Sequence, residues 1–385
     1  MLTTTEAARR LGVKPETLYA YVSRGLLTRH AAPGGRRSLF DAAEVELLAA
    51  RSRRGRRPAA LELVVDTTLT LLDPDGALYY RGQDATALAR TSTYEAVAEL
   101  LWGGGDAVTP WSGSAVAGAP DGRPADRLRA VVALAAAGDP LRADLRPAAV
   151  RHTARGLIAT MVDGLPARSE PAGDAIAARL WSRLHDAAPT PERLRVLDAA
   201  LILLADHELA LSALAARIAA SAHADPYLVV LAGLAAQGGA LHGAAGTAVE
   251  RLLQGIAAPD AVPAVLGEHL AGGEQLPGFG HAVYHGRDPR AETLLELLAA
   301  AAPDPDRYAI VLRVLELAGR HDGPAPNVDL ALGAVSDCLG LAPGSAEAIF
   351  AVGRSAGLIA HALEEYPHRL RFRARATYVG PAPAG

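Results

Sequence analysis

Residues 345–365 read SAEAIFAVGRSAGLIAHALEE. Steps of four and three place Phe350, Arg354, Leu358 and His361 on one stripe, so the stretch is a helix with a guanidinium on an apolar face. Such a guanidinium needs an acidic partner or an incoming anion, because an unpaired charge is costly to desolvate. Gly353 and Gly357 beside it let a neighbour or a ligand come close. Working outward, helices are expected over 93–102, 126–137, 147–162, 173–187, 190–222 and 225–240. Only 67–73 and 77–81, flanking Pro74-Asp75-Gly76, read as a short hairpin. Residues 103–124, rich in Gly, Pro, Ser and Ala, read as an irregular loop. From about residue 60 the chain is therefore expected to be all-α.

The composition agrees with that expectation. Half of the 385 residues are hydrophobic and only 4% aromatic, a mix that favours closely packed helices over sheet. The length leaves room for two or three domains with ample core. Cys338 is the single cysteine, which excludes an intramolecular disulfide framework and a thiolate metal cluster and points to a reducing cytoplasm. No basic-then-apolar N-terminal signal is visible. The longest uncharged stretch, 227–241, contains Gln237 and is short for a bilayer crossing, so it reads as a buried helix and no membrane partner is expected.

The net charge of −4 hides an asymmetry: residues 1–58 carry +7 and residues 59–385 carry −11. Thr3-Thr4-Thr5-Glu6 supplies N-cap residues for a short helix over 7–11 that Gly12 ends. Pro15 opens a second helix through Arg24, and Gly25 ends it. Residues 31–37, with Arg36 and Arg37, read as a basic wing, followed by a third helix over 41–51 and an Arg-rich linker ending at Pro58. The stretch TTTEAARRLGVKPETLYAYVSRGLL (3–27) resembles the winged helix-turn-helix of the MerR type. That resemblance implies DNA as a partner of residues 1–58, the second helix in a major groove and Arg36 and Arg37 on phosphates. A protein-binding winged helix with a solvated basic face is the other reading.

Chemistry concentrates in three segments: Leu241-His242-Gly243, Pro277-Gly278-Phe279-Gly280-His281 and Asn327-Val328-Asp329. They offer two histidines and a carboxylate, with Arg290 nine residues after the second histidine, an acid/base set beside an anion anchor. His242, at a helix start among small residues, either points into a cleft or is a core histidine bonded to backbone. His281 follows a glycine-rich turn that admits a ligand close to backbone, or else sits exposed on that loop. Asp288-Pro289-Arg290 starts a helix and suits Arg290 to a bidentate grip on a carboxylate. Asp329 starts an apolar helix, where an acid can also serve merely as a cap. His207, between Leu203 and Leu211, is expected on a helix like Arg354, with a structural ion pair as the alternative for each, for His207 to Asp206 or Glu208. Arg369, Arg371, Arg373 and Arg375 alternate, so an extended strand would put them on one face, facing an anion or an acidic partner.

The order of the motifs is more specific than any one of them. ADHELALSALAAR (205–217), LHGAAGTA (241–248), PGFGHAVYHGRDPRA (277–291), NVDLALGAV (327–335), IFAVGRSAGLIAH (349–361) and RARATYVG (373–380) resemble successive motifs of the citrate synthase family, and 78–104 resembles its N-terminal part. The resemblance covers roughly residues 60–380. It implies an all-α fold with large and small domains, preceded by the winged helix: 1–58, then 59–385, with a small subdomain at roughly 225–325. It implies a homodimer and a reaction of acetyl-CoA with oxaloacetate and water to give citrate and CoA. In that reaction Asp329 is the base on the methyl group, His242 the hydrogen-bond donor to the thioester oxygen, and His281 the proton or hydrogen-bond donor at the new alkoxide. Arg290, Arg354 and, from the other subunit, Arg373 (with Arg375 a near rival) hold the dicarboxylate, with His207 nearby. Backbone at Pro277, Gly278, Phe279 and Gly280 meets CoA. No metal and no cofactor beyond acetyl-CoA as substrate is required. The alternatives are 2-methylcitrate synthase using propionyl-CoA, and a DNA-binding regulator with a metabolite-sensing domain. Departures from the family pattern are Ala210, Ser212 and Ala213 after DHE, where Asn and a Ser-Thr pair are usual, His285 at a usually basic position, and Gly246 where the pattern HGGAN has Asn.

Overall fold

The computed structural model describes residues 1–385 except 12, 24–26, 32–37, 43, 46–62, 74–75, 106–109, 240–241, 244, 274, 282, 285, 321–322, 369, 371, 373–379 and 381–385. Its contacts divide the chain into two units, Met1–Asp66 and Thr67–Gly385.

In the first unit, helices Thr4–Leu11 and Pro15–Ser23 precede strands Arg29–Ala31 and Ser38–Phe40. Thr3 and Glu6 form a reciprocal capping box: the Thr3 hydroxyl accepts from the Glu6 N–H, and the Glu6 carboxylate accepts from the Thr3 N–H at 2.9 Å. Ser38–Phe40 is the middle strand, antiparallel both to Leu2–Thr3 and to Arg29–Ala31. Ala7, Ala8, Leu18, Leu27, Phe40 and Val45 close a small core. The wing tip with Arg36 and Arg37, most of the expected helix over 41–51, and the linker lie outside the described residues.

The second unit opens with the expected hairpin, Thr70–Asp73 against Ala77–Tyr80, extended by a short third strand, Gln83–Asp84. Helices make up the rest of its regular structure among the described residues, and 110–123 is irregular as expected. Ser345–Glu365 runs through the middle and packs on helices Pro147–Asp163, Pro191–Leu204, Leu211–Ser221, Pro226–Gln237 and Val328–Cys338. It is long and apolar enough to cross a membrane, but 94% of its apolar window is buried inside the protein, so it is a core helix. Its glycines permit this: a Cβ at Gly353 would stand 2.9 Å from the Leu201 carbonyl oxygen, and one at Gly357 would collide with that of Ala205.

One expectation fails here. The single helix over 190–222 is two helices, Pro191–Leu204 and Leu211–Ser221, separated at 205–210. Glu208 takes φ 55°, a left-handed conformation no helix contains. The carbonyls freed at the break find partners from distant segments. Tyr80 Oη lies 3.1 Å from Ile202 O and 3.0 Å from Asp206 O, Arg354 Nε donates to Leu204 O at 2.8 Å, and Gly357 N–H donates to Ala205 O at 2.9 Å. His207 therefore lies in this break and not on a helix.

Candidate active site

The three chemistry-bearing segments meet at one cavity of about 660 Å³. Its walls include His207, His242, Pro277 to His281, Arg290, Asp329, Phe350 and Arg354. A second cavity of about 750 Å³, near Trp111 and Tyr227, is lined by none of these residues.

The corner carrying His281 and Asp329 is tied together by backbone. Gly278 and Gly280 have φ of 83° and 81°. A Cβ on Gly278 would stand 2.8 Å from that of Leu330, so close approach as well as φ requires glycine there. Gly280 N–H donates to Ala325 O at 2.8 Å, Asn327 N–H to Gly278 O at 2.9 Å, and Asn327 Nδ2 to Gly280 O at 2.8 Å. Asn327 also caps helix Val328–Cys338 through Oδ1, which accepts from the N–H of Asp329 at 2.9 Å. Asp329 is thus freed from capping. Its Oδ1 is shut from solvent with no hydrogen-bond partner, and burial pushes the carboxyl up to about 6, against the nearby charge of Arg290.

Asp288 was not singled out by the sequence, yet it joins two helices to the site. Its carboxylate caps Pro289–Ala300, grips Arg290 at Nε (3.0 Å) and Nη2 (2.8 Å), and accepts the N–H of Val328 at 3.0 Å. Burial opposes the charged form of each partner, but the pairing prevails: Arg290 is held above its ordinary value and Asp288 below. The Asp-Pro pair at a helix start was the available signal.

His281 is half-buried and in a defined tautomer. Nδ1 accepts the N–H of Val283 (3.0 Å) and of Tyr284 (3.2 Å), so the proton resides on Nε2. Nε2 then lies 3.3 Å from Arg290 Nη2, so ring and guanidinium stand side by side on the cavity wall. Burial, with Arg290, lowers the histidine pKa and keeps the ring neutral. His242 sits in the turn before helix Ala245–Gln254, its Nε2 2.9 Å from Ser212 Oγ and its ring edge-on to Phe350. Burial, then Arg354, pushes it down to about 4, so it too is neutral near pH 7. Its partner is a hydroxyl, not the backbone of the alternative reading.

On the opposite wall Arg354 is 1% exposed and has no carboxylate within salt-bridge distance among the described residues. Nε is held by Leu204 O, the guanidinium lies 5.0 Å over the Phe350 ring, and Nη1 is buried without a partner. Burial lowers its pKa, the mark of a cation awaiting an anion. His207 is buried with Nε2 3.2 Å from Tyr284 Oη and is edge-on to His281, so its partners are neither Asp206 nor Glu208. Its pKa is well below the ordinary value through burial and then the charges of Arg290 and Arg354. Asp206 instead accepts from Thr70 Oγ1 at 2.5 Å and from His361 Nε2 at 3.1 Å, while His361 Nδ1 faces Arg217 at 3.1 Å. Ser212, Tyr284, Asp206 and His361 carried no local signal for these roles. Arg373, Arg369, Arg371 and Arg375 lie outside the described residues.

Most of the chain is similar to known proteins. Residues 61–375 match the family model "Citrate synthase, C-terminal domain", and residues 1–53 match a helix-turn-helix domain. The chain is 32% identical to citrate synthase of Haloferax volcanii over 83% of this chain and 94% of that protein. It is 31% identical to 2-methylcitrate synthase of Shewanella oneidensis over 57% of this chain and 60% of that one. Among solved structures, citrate synthase of Thermoplasma acidophilum, described as a ternary complex with carboxymethyl coenzyme A and oxaloacetate, superposes with TM-score 0.68 at 26% identity, covering 86% of this chain and 97% of that one.

Proposed function

The chain belongs to the citrate synthase family and is an acyltransferase of the class that converts the acyl group into alkyl on transfer; we propose that its cleft condenses acetyl-CoA with oxaloacetate and water to give citrate and CoA. The observation that carries this is a complementary pair facing one cavity, an unpartnered carboxylate oxygen on Asp329 and an unpartnered guanidinium nitrogen on Arg354. The first suits proton abstraction and the second an incoming carboxylate.

In the proposed reaction Asp329 takes a proton from the acetyl methyl group, the C–H electron pair becomes the carbon–carbon double bond of the enol(ate), and the carbonyl π pair moves onto the thioester oxygen. With Ser212 donating to His242 Nε2, Nδ1 of that ring carries the proton and hydrogen-bonds the thioester oxygen. The enol carbon attacks the ketone carbon of oxaloacetate, and the carbonyl electrons pass to oxygen, where His281 Nε2–H donates. Water then cleaves the thioester and releases CoA. Arg290 and Arg354 hold the two carboxylates with His207 beside them. Backbone at Pro277, Gly278, Phe279 and Gly280 meets CoA, and the region 225–325 closes the cleft as a small subdomain. Neutral histidines suit this work, because a donor with a lowered pKa can polarise an oxygen without being a standing cation.

A homodimer follows from the same reading, with Arg373 of the partner subunit completing the anion site. Leu134, Leu211, Ile218 and Leu228 support it, being 38–62% exposed on helices Pro124–Gly138, Leu211–Ser221 and Pro226–Gln237. The test of function is CoA release from acetyl-CoA plus oxaloacetate, with propionyl-CoA in parallel. Release above an Asp329→Ala control supports the reading, and none with either acyl-CoA overturns it. Higher kcat/KM with propionyl-CoA would make the activity 2-methylcitrate synthesis, since one methylene in a pocket separates substrates by only about 1–3 kcal/mol.

A second reading concerns residues 1–58. Their charge of +7 and the helix-turn-helix match favour double-stranded DNA as a partner. Salt-sensitive retardation of a DNA duplex by the full chain is the expected result, and no retardation at low salt overturns it. A change in that retardation with oxaloacetate or acyl-CoA would mark a metabolite-sensing regulator.

A further inference from the structure

The buried Oδ1 of Asp329 lies close to the place a side chain at Gly246 would occupy. A Cβ built there would stand 3.9 Å from Oδ1 and 3.2 Å from the Cβ of Ala346. Gly246 lies in the first turn of helix Ala245–Gln254 and is not among the glycines with positive φ, so its backbone does not require glycine. A hydroxyl or amide carried on that Cβ could reach ordinary hydrogen-bond distance of Oδ1.

The other groups around Asp329 leave Oδ1 unbonded. Arg290, from the start of helix Pro289–Ala300, is held by Asp288 at 2.8 Å. Arg354, from the core helix, is held through Nε by Leu204 O at 2.8 Å. His242, in the turn ahead of Gly246, engages Ser212, and Asn327 spends its side-chain oxygen on the N–H groups of Asp329 and Leu330. Asp288 faces the site as a like charge that favours the protonated form.

We propose that Gly246 is a positioning residue acting through Asp329: by supplying no donor, it leaves the proton-accepting carboxylate unbonded at Oδ1 and so keeps it strongly basic. A hydrogen bond to the charged form would stabilise carboxylate over acid, and a weaker base removes a carbon-bound proton more slowly. The raised pKa of Asp329, caused chiefly by burial, is consistent with that state. The inference rests on the condensation reading for its consequence in catalysis, but the control of Asp329 by Gly246 stands without it.

The experiment compares Gly246→Ser and Gly246→Asn with Gly246→Ala, which adds the Cβ without a donor. In kcat/KM against pH, Ser and Asn are expected to move the acid limb down by about one pH unit. The rate at pH 5 relative to pH 8 then rises roughly five-fold, while the rate at pH 8 falls about two- to ten-fold. Ala leaves the limb where the parent has it. An acid limb shared by Ser, Asn and Ala overturns the proposal, as does a change in acyl-CoA preference with no movement of the limb. Because the added Cβ must displace Ala346 slightly, the pair is repeated with Ala346→Gly, with the same expectation. Carbon-13 NMR titration of the Asp329 carboxyl, assigned with Asp329→Asn, reads the same shift without turnover. A parent that releases no CoA but shows the shift would overturn the condensation reading and leave the role of Gly246 intact, whereas an unmoved carboxyl overturns that role.

Discussion

The two walls of the cleft are built differently. The wall of 277–281 and 325–329 is local: glycines at positive φ, an Asn cap and backbone hydrogen bonds strap two loops together. The wall of 205–210, Arg354 and His361 is remote: a broken helix whose loose carbonyls and side chains are held by Tyr80, Thr70, Arg217 and the core helix. The first presents an unbonded base, the second an unbonded cation. Small residues suffice where backbone can do the holding, whereas buried charged groups are needed where the helix is interrupted. The hydrogen-bonded groups that hold the remote wall should therefore cost more stability to remove, and the unbonded base of the local wall should be the more sensitive in rate.

The largest expected effect tests the local wall. Asp329→Ala should cut kcat about a thousand-fold with little change in melting temperature, since it removes the base and leaves the Asn327 cap. Loss of folding in that variant would break the comparison. Arg354→Met comes next, raising KM for oxaloacetate roughly ten- to a hundred-fold while stability stays within about 1 kcal/mol, because the lost bond to Leu204 O is offset by removal of a buried unpaired charge. A fall of several kcal/mol in denaturant unfolding would instead show that the cation is structurally paired. His361→Ala should destabilise by about 3 kcal/mol, by taking one hydrogen-bond partner from the buried Asp206, which keeps Thr70, and one from the buried Arg217, which keeps Glu364 and Glu365, and by opening a cavity in the core helix. Asn327→Ala, on the strapped wall, should cost about 1 kcal/mol through the cap. Equal costs for these last two would erase the contrast.

The smallest effect is on pH. His242, lowered to about 4, contributes stability that is present above its ordinary 6.5 and lost as pH falls through that interval. His207 and His281 are lowered in the same direction, and the depressed carboxylates of Asp206 and Asp288 also lose stability toward acid. Asp329, raised from 3.8 to about 6, acts oppositely, because its cost is relieved as pH falls through that interval. The histidines outnumber it, so the melting temperature should drop by about 2–4 °C between pH 7 and pH 5. A flat or rising profile would mean that these rings are not held neutral by burial.

Much of the local wall was legible from residues alone. Gly278 and Gly280 have backbone preferences that act over a few positions, so they announced the turn, and His281, Arg290 and Asp329 came with the loops around them; the helix start at 327–329 was legible too, although the cap is Asn327 and not the Asp329 that an acid there suggests. The core helix was legible from its periodicity, including the anomalous Arg354. The break at 205–210 was not legible, because 190–222 carries neither Gly nor Pro to interrupt it after Pro191. What stops that helix is the supply of partners for its terminal carbonyls by residues more than a hundred positions away. Asp288 illustrates the same divide: its role as cap could be read beside Pro289, but its hold on the N–H of Val328 could not.

The sequence by itself determined the helical class, the order of the motifs and the residue types of an acid/base site with an anion anchor, since these follow from periodicity and near-neighbour preference. Only the tertiary structure decided which of those groups are unbonded, which histidine nitrogen bears the proton, where His207 sits and what Gly246 leaves empty. Those properties depend on burial and on partners distant in the chain, and neither is encoded at any single position.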